Sequence, residues 1–311
     1  MSGGQILWAV GDGDGPSSVS AGAGRVLGAR LRQLRKDQGL RLVDVVKAGM
    51  IGSAATLSRV EKGETPLKPE RVLALAMFYN VSDPVELATL EMHADRQKDV
   101  QWWEEFRDVI PGWTQRLLSV EASAESIRTY EMQYVPGLLQ TSRYAEALVR
   151  HAIPAPFPED PGKQEEHQKR TVEVREKRQA LLKEPGAPEY FALLDEGVLA
   201  RPVGGRVVMR QQLRKLYDQE ENEDRIHIRI MPFSTGDHGM APAPGVTHLQ
   251  FSDGGHEADM VYLETRYGGS YLTNPEEVTH YKQALSGLWS KALTRKETLG
   301  MLEEYIARLR D

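Results

Sequence analysis

Carboxylate and imidazole side chains near predicted strand ends are the first candidates for chemistry in this chain. They are Asp195, Glu196, His238, His248, His256, Asp259 and Glu264. Such groups could bind a metal ion or act as general acid and base. Their spacing supports neither role, because the sequence has no HExxH motif and no two histidines four residues apart on a predicted helix. We predict carboxylates that hold backbone groups or arginines, and neither an enzyme, a metal site nor a bound cofactor.

Two glycine pairs are candidates for phosphate binding. Gly204-Gly205 and Gly268-Gly269 each lie between predicted elements, but neither has a GxGxxG or GxxxxGK[ST] context. The sequence therefore predicts turns at both places.

The charge distribution indicates a different kind of chemistry. Residues 25–71 contain 11 Lys and Arg against 5 Asp and Glu, whereas the whole chain has a formal charge of -6. A basic segment in an acidic protein is typical of a surface that binds nucleic-acid phosphates. The remainder of the chain, from residue 72 onward, is acidic and is not expected to form a second such surface.

Three short helices are predicted within this basic segment. Apolar residues recur at helical spacing from Leu27 to Leu34, and Gly39 ends that helix. A second apolar period starts at Leu42, and a third helix opens on Ser53, whose hydroxyl can cap it. Two helices joined by a glycine-bearing turn form a helix-turn-helix. We expect Arg35 on the first helix and Glu61 on the third to pair and fix the interhelical angle.

The string TLSRVEKG at 56–63, preceded by GLRLVDVVKAG and followed by Pro69, resembles the phage-repressor or Xre family of helix-turn-helix proteins. The resemblance implies that the third helix lies in the major groove of DNA. It places Ala54, Ala55 and Arg59 at base-facing positions, Ser53 and Thr56 at phosphate-contacting or capping positions, and Lys62 at a flanking backbone contact. The turn before this helix is one residue longer than usual in the family. Leu42 stands where a polar phosphate ligand is common, and we expect Arg41 to supply that contact.

The rest of the chain predicts an α+β domain, in which strands alternate with helices to form a mixed sheet. A short strand is predicted at Tyr130 to Tyr134, and a long charged helix on the surface is predicted from Lys163 to Lys183. The string YEMQYVPGLLQTSRYAEAL, with REKRQALL, LLDEGVLARPVGG and MVYLET, resembles the C-terminal domain of a large group of actinobacterial, chiefly streptomycete, regulators that includes WhiJ-like proteins. The resemblance implies an antitoxin-like regulator with a small partner protein encoded nearby. It implies no chemistry for this domain. We expect Trp102 and Trp103 to pack the two domains together.

The predicted organisation is a disordered leader at 1–24, an all-α Xre-type DNA-binding domain at 25–99 and an α+β regulatory or partner-binding domain at 100–311. The chain has no cysteine and no apolar run of about 20 residues, the length that spans a bilayer. We therefore expect a cytoplasmic protein that does not enter a membrane.

The sequence supports two hypotheses about function. The first is a sequence-specific, DNA-binding transcriptional regulator that binds double-stranded DNA as a homodimer, with a C-terminal domain for dimerisation and for binding a small partner protein or effector. Its two-fold contact is expected from the helices from Lys163 onward, because the N-terminal bundle has little spare apolar surface. The alternative is a DNA-tethered metabolite sensor or enzyme with its site in the C-terminal domain.

Overall fold

The computed structural model describes residues 21–96, 102–152, 160–183, 187–239, 245–251, 259–265 and 268–309. Residues 1–20 of the predicted leader, most of the proline-rich stretch at 154–162, and His256 lie outside the described residues. Among the helices that are described, none is long and apolar enough to cross a membrane.

The N-terminal bundle is formed, within residues 21–96, by five helices. They are α1 (Ala21–Asp37), α2 (Leu42–Lys47), α3 (Ala54–Glu61), α4 (Pro69–Phe78) and α5 (Pro84–Arg96). Leu31, Val45, Leu57 and Val72 are fully buried in its core. α1 begins at Ala21, inside the segment predicted as leader. The reason is tertiary, since Gly24 on this first turn lies so close to Gly63 that an added Cβ would be 3.2 Å from its carbonyl oxygen.

The C-terminal domain is built on a mixed sheet, in agreement with the predicted α+β class. Its strands, as far as the structure describes the chain, are β1 (Ser126–Glu131), β2 (Glu189–Asp195), β3 (Ile226–Met231), β4 (Val246–Gln250), β5 (Met260–Thr265) and β6 (Gly268–Leu272). Their order is β3-β2-β1-β4-β5-β6. The first three are mutually parallel, and the last three continue the sheet in antiparallel pairs. The long crossovers between parallel strands carry the helices that cover the sheet.

Further helices of the described chain surround the sheet. They are α6 (Gly112–Glu121), α7 (Ser142–Ala152), α8 (Pro161–Gln179), α9 (Glu196–Ala200), α10 (Arg206–Asn222), α11 (Pro275–Lys291) and α12 (Arg295–Arg308). One sheet face, with Ile127, Ala192 and Ile228, packs against residues of α6, α7, α10 and α12. The opposite face, with Tyr130 and Leu193, packs against α11.

Two predictions about the sheet were wrong, one of a turn and one of the bounds of a strand. Gly268-Gly269 begins β6 and is not a turn: Gly269 lies beneath the ring of Tyr262, where an added Cβ would be 2.3 Å from a ring carbon. β1 spans Ser126 to Glu131, whereas the sequence predicted a strand from Tyr130 to Tyr134. Pairing with β2 sets these limits, because Ser126 opposes Glu189 and Glu131 opposes Leu194.

The PGLLQT string is a structural connection between β1 and the helices that cover the sheet. Leu138 and Leu139 are buried in a short 3-10 turn. The fully buried side chain of Gln212 on α10 accepts a hydrogen bond from the Thr141 amide at 2.6 Å and donates to the Leu139 carbonyl at 2.8 Å. The string therefore has an architectural role.

The tryptophan pair does not join the two domains. Trp103 and Phe106 pack with Leu118 of α6 and Val174 of α8, all within the C-terminal part of the chain. The contact between the domains is made instead by α1, whose Val26 and Ala29 belong to the core of the sheet domain. Leu27 and Leu31 on the same helix belong to the core of the bundle. α1 is thus shared by both cores.

Candidate nucleic-acid interface

The start of α3 is fixed by a cap that the sequence predicted. The Ser53 hydroxyl accepts a hydrogen bond from the Thr56 amide at 3.0 Å. The hydroxyl oxygens of Ser53 and Thr56 also lie 2.9 Å apart. Both side chains therefore serve capping, the second of the two roles that the resemblance implied for them.

α3 presents one face to solvent and one to the core. Leu57, Val60 and Glu61 are buried. Ala55, Arg59 and Lys62 are exposed, whereas Ala54 is half-buried at the first turn. Because residues four and three apart lie on one side of a helix, the exposed three form a single outward stripe. Among the residues that the structure describes, neither Arg59 nor Lys62 has an acidic partner, so both charges are available to a ligand.

Arg41, the cation expected to bind phosphate beside α2, is already engaged. It is the N-cap of α2, and its guanidinium binds Asp44 through Nε to Oδ2 at 3.0 Å and Nη2 to Oδ1 at 3.1 Å. Hydrogen bonds from the Arg41 side chain, and then from its backbone, lower the pKa of Asp44 to about 2. The Arg41 side chain is 76% exposed. A phosphate at this position must therefore compete with a carboxylate that stays ionised at every physiological pH.

The angle between α1 and α3 is set by a close approach and a buried ion pair. An added Cβ on Gly28 would be 2.3 Å from the Val60 carbonyl oxygen, so only glycine lets the helices come this near. The Arg35 guanidinium donates to Glu61 from Nε at 2.6 Å and from Nη2 at 2.9 Å, and from Nη1 to the Leu40 carbonyl at 2.6 Å. The hydrogen bonds to Glu61 raise the pKa of Arg35. These contacts hold the outward face of α3 in one orientation.

The lengthened turn between α2 and α3 is accommodated without loss of packing. Gly49 adopts a left-handed conformation with φ of 74°, which ends α2. Ile51 in the turn is 7% exposed and belongs to the core of the bundle. Arg71 of α4 donates a hydrogen bond to the Met50 carbonyl at 3.0 Å. The extra residue is therefore absorbed by a buried anchor and a bond to the next helix.

In the described part of the chain, the carboxylates and histidines of the sheet domain lie at separate places, apart from the pair His248 and Asp259. Asp195 caps α9 by accepting from the Gly197 amide at 2.8 Å, and Glu196 accepts from the Phe233 amide and the Tyr305 hydroxyl. His248 lies 3.6 Å from Asp259, beneath α11. Within the described part of the chain, no three metal-ligating side chains cluster.

One buried polar group was not predicted from the sequence. α8 was expected to lie on the surface, but Arg178 on it donates to the almost fully buried Glu121 at 2.8 Å. Nearby, burial and then the charge of Glu264 raise the pKa of Glu131 to about 8, against the opposing effect of Arg178. The sequence signal for this group was the density of Arg and Glu in REKRQALL, which also suits a solvated helix.

The bundle and the outward face of α3 define a helix-turn-helix protein, the class of DNA-binding regulators that the charge pattern indicated. Residues 26–90 match the family described as a helix-turn-helix domain. Residues 114–304, more than half of the chain, match the family described as "Domain of unknown function (DUF5753)", and the chain belongs to that family. Searches of curated proteins and of solved structures found no match.

Proposed function

We propose that this protein is a cytoplasmic, sequence-specific transcriptional regulator that acts by binding double-stranded DNA and not by catalysis. The observation that carries the proposal is the outward stripe of α3, in which Arg59 and Lys62 lack acidic partners among the described residues. Arg59 is suited to read guanine in the major groove, and Ala54 and Ala55 allow close approach to thymine methyl groups. Lys62 and Arg41 would bind phosphates on either side.

The experiment is selection of DNA by the full-length chain from a random pool, followed by affinity measurements on the enriched sequence at several salt concentrations. We expect one enriched motif, and an affinity that falls linearly on a log-log plot against salt as counterions are released. A pool that shows no enriched motif after selection, with affinity equal for all sequences, contradicts sequence-specific binding.

We further propose that the protein binds as a homodimer. A single α3 with two alanines at reading positions makes few base contacts, so useful specificity requires a second copy about one helical turn away. The expectation that the bundle has little spare apolar surface was wrong: Met77 of α4 is 59% exposed, and Val85 and Met92 of α5 are 73% and 41% exposed. The bundle therefore offers a candidate two-fold surface alongside the C-terminal helices.

Light scattering on the full-length chain tests the dimer and its source. A homodimer has twice the chain mass of 34.8 kDa. If α5 supplies the contact, replacing both Val85 and Met92 with Glu will give monomers. If the C-terminal domain supplies it, the same variant will stay dimeric. A single-chain mass for the unmodified protein, alone and on selected DNA, contradicts the dimer.

The C-terminal domain is proposed to bind a small partner protein, as in the actinobacterial WhiJ-like, antitoxin-like group that its sequence resembles. Exposed apolar side chains on this domain, among them Val207 at 47% and Phe233 at 59%, support a protein-binding role. The measurement is co-purification of the chain with the product of any small adjacent gene. Replacing Phe233 with Ser is expected to weaken the complex, whereas Val43→Ser in the bundle serves as the matched control.

The second candidate function is a metabolite sensor tethered to DNA. It is favoured by one observation, a cavity between the sheet and α11 that has a cationic wall.

A further inference from the structure

A cavity of about 70 Å³ lies between the sheet and α11. This is several times the volume that a single water molecule requires. Its wall is formed by two residues each from β1, β2 and α11, namely Arg128, Thr129, Phe191, Leu193, Leu285 and Trp289. Arg128, Phe191 and Trp289 are only partly buried, so the cavity opens to solvent on their side.

Arg128 is the polar feature of this cavity, and its hydrogen-bonding capacity is not satisfied. Its guanidinium carbon lies 4.9 Å above the centre of the Phe191 ring. The Nε atom is buried and has no hydrogen-bond acceptor. In the described parts of the chain no carboxylate pairs with Arg128, whereas Arg229 on β3 has Glu220 at 3.0 Å. A cationic donor buried without an acceptor is costly, so an anion that fills this position relieves that cost.

Most of the remaining wall is apolar and is formed by Phe191, Leu193, Leu285 and Trp289. Phe191 stacks on His227 with ring centres 4.6 Å apart and planes at 23°. Trp289 meets the Phe191 ring edge-on at 5.5 Å and 81°, and the Arg229 guanidinium lies over Trp289 at 5.5 Å. Each ring is held by a neighbour, and the two rings touch edge to face, so the wall that they form does not need to be ordered on binding. Pre-formed aromatic walls of this kind favour a planar ligand.

We propose that this cavity binds a small planar organic acid, with its carboxylate on Arg128 and its apolar body against Phe191 and Trp289. The positive wall selects an anion over a neutral molecule. Because the cavity is smaller than the roughly 150 Å³ that encloses a benzene ring, part of the ligand lies in its solvent-facing opening. The inference rests on the proposed function only for its consequence, namely that the ligand is the effector of a DNA-binding regulator. Binding itself is independent of DNA.

The test uses the full-length chain without DNA, and benzoate as the probe. Calorimetry and tryptophan fluorescence are expected to give a dissociation constant on the order of 1 mM or lower, a value suited to so small a ligand. Benzamide has the same shape without the charge and is expected to bind at least about tenfold more weakly. Failure of benzoate to bind at about 10 mM, tenfold above that limit, or equal binding of benzamide, overturns the proposal.

Three variants locate the site. Arg128→Gln is expected to lose at least about tenfold in benzoate affinity. Leu285→Phe, which fills the cavity and keeps Arg128, should abolish binding. Arg143→Gln removes an exposed arginine of α7 and should change nothing. Unchanged benzoate affinity in either cavity variant overturns the proposal. If Arg128→Gln does not fold, as judged by circular dichroism, Leu285→Phe decides alone.

DNA affinity, measured separately on the selected motif, distinguishes the two proposals. Benzoate binding without sequence-specific DNA binding would contradict the proposed function and leave the cavity assignment standing. DNA binding without benzoate binding would contradict the cavity assignment alone.

Discussion

Arg59 and Arg41 carry the same charge on the same bundle, yet their surroundings differ. Arg59 lies on the outward stripe of α3 without an acidic partner in the described residues, and Arg41 is held by two hydrogen bonds to Asp44. The resemblance to known helix-turn-helix proteins implied a contact role for Arg59, and Arg41 was expected to replace the contact that Leu42 cannot make, but only the structure shows that Arg41 is engaged by Asp44. The contact roles of these side chains stay predictions from the sequence, whereas the partner that already binds Arg41 could be seen only in the structure.

Replacing Arg59 with Ala should cost roughly 1 to 3 kcal/mol of binding free energy at one base pair and relax specificity there. Lys62→Ala should weaken binding to all sequences alike and reduce the salt slope by about one, because it removes one phosphate contact. Fluorescence anisotropy on the selected motif and on its single-base variants measures both effects. Equal losses for the two variants on every sequence would show that Arg59 does not read a base.

Asp44→Asn should strengthen DNA binding, whereas Arg59→Ala and Lys62→Ala should weaken it. It removes the carboxylate that holds Arg41 and one negative charge from the bundle, so affinity for all sequences should rise and the salt slope should steepen. The matched control is Asp83→Asn on the exposed loop before α5. Affinity that is unchanged in Asp44→Asn would mean that Arg41 makes no phosphate contact.

Glu131 makes the stability of the protein depend on pH. Its pKa of about 8 in the folded chain exceeds the ordinary glutamate value of 4.5. Between these two pH values the folded chain holds a proton that the unfolded chain has lost, so the free energy of unfolding falls as the pH rises through this range. Glu131→Gln should therefore be more stable than the unmodified protein at pH 8, by roughly 1 to 3 kcal/mol, and equally stable near pH 4.

Urea denaturation at a series of pH values measures this difference. Glu189→Gln, at an exposed carboxylate on β2, is the control and should leave the slope unchanged. A Glu131→Gln variant with the same pH slope as the unmodified protein would show that the carboxyl is ionised in the folded chain at neutral pH.

At the scale of elements, the helices of the bundle were predictable because apolar spacing and caps are local signals. Ser53, Gly39 and Pro69 each mark a helix end by their own chemistry, and all three lie at such ends. The Gly28 contact, the strand β6 and the partial burial of α8 were not predictable. Each depends on a contact between two different elements: Val60 for Gly28, Tyr262 for Gly269, and Glu121 for Arg178.

Gly28→Ala tests the close approach of α1 and α3. Alanine favours a helix over glycine by about 1 kcal/mol, but the added Cβ would meet the Val60 carbonyl oxygen at 2.3 Å, and a backbone atom cannot rotate away as a side chain can. We expect a net loss of roughly 1 to 3 kcal/mol in the free energy of unfolding, together with weaker DNA binding as α3 tilts. Thermal denaturation and anisotropy measure the two effects.

The control is Gly287→Ala on α11, where an added Cβ would meet nothing within 4 Å. This change should stabilise the protein by up to about 1 kcal/mol. Similar outcomes for the two variants would mean that α1 and α3 can separate without cost.

At the scale of the whole molecule, α1 connects the two cores. Val26 and Ala29 pack with Leu117 and Val120 of α6, while Leu27 and Leu31 pack in the bundle. If α1 loses its contacts with one core, its contacts with the other core are weakened as well. The two domains should therefore unfold together, although the sequence suggested two separate units with a boundary near residue 99.

Leu117→Ala should reveal this coupling. Removing a buried leucine side chain typically costs about 2 to 5 kcal/mol. Because Leu117 packs against α1, hydrogen exchange should become faster in α3 as well as in the sheet. Mass spectrometry of peptides from α3 and β2 measures both. Faster exchange confined to the sheet domain, with α3 unchanged, would show that the bundle folds by itself.

The double membership of α1 also limits how such a protein can be recombined. A chimera cut between α5 and α6 would inherit a first helix whose second apolar stripe was matched to another sheet domain. A graft restricted to the exposed positions of α3 leaves both stripes intact. New operator specificity is therefore expected to be transplanted most readily as a few surface substitutions, and exchange of the entire DNA-reading bundle should succeed only when α6 travels with it.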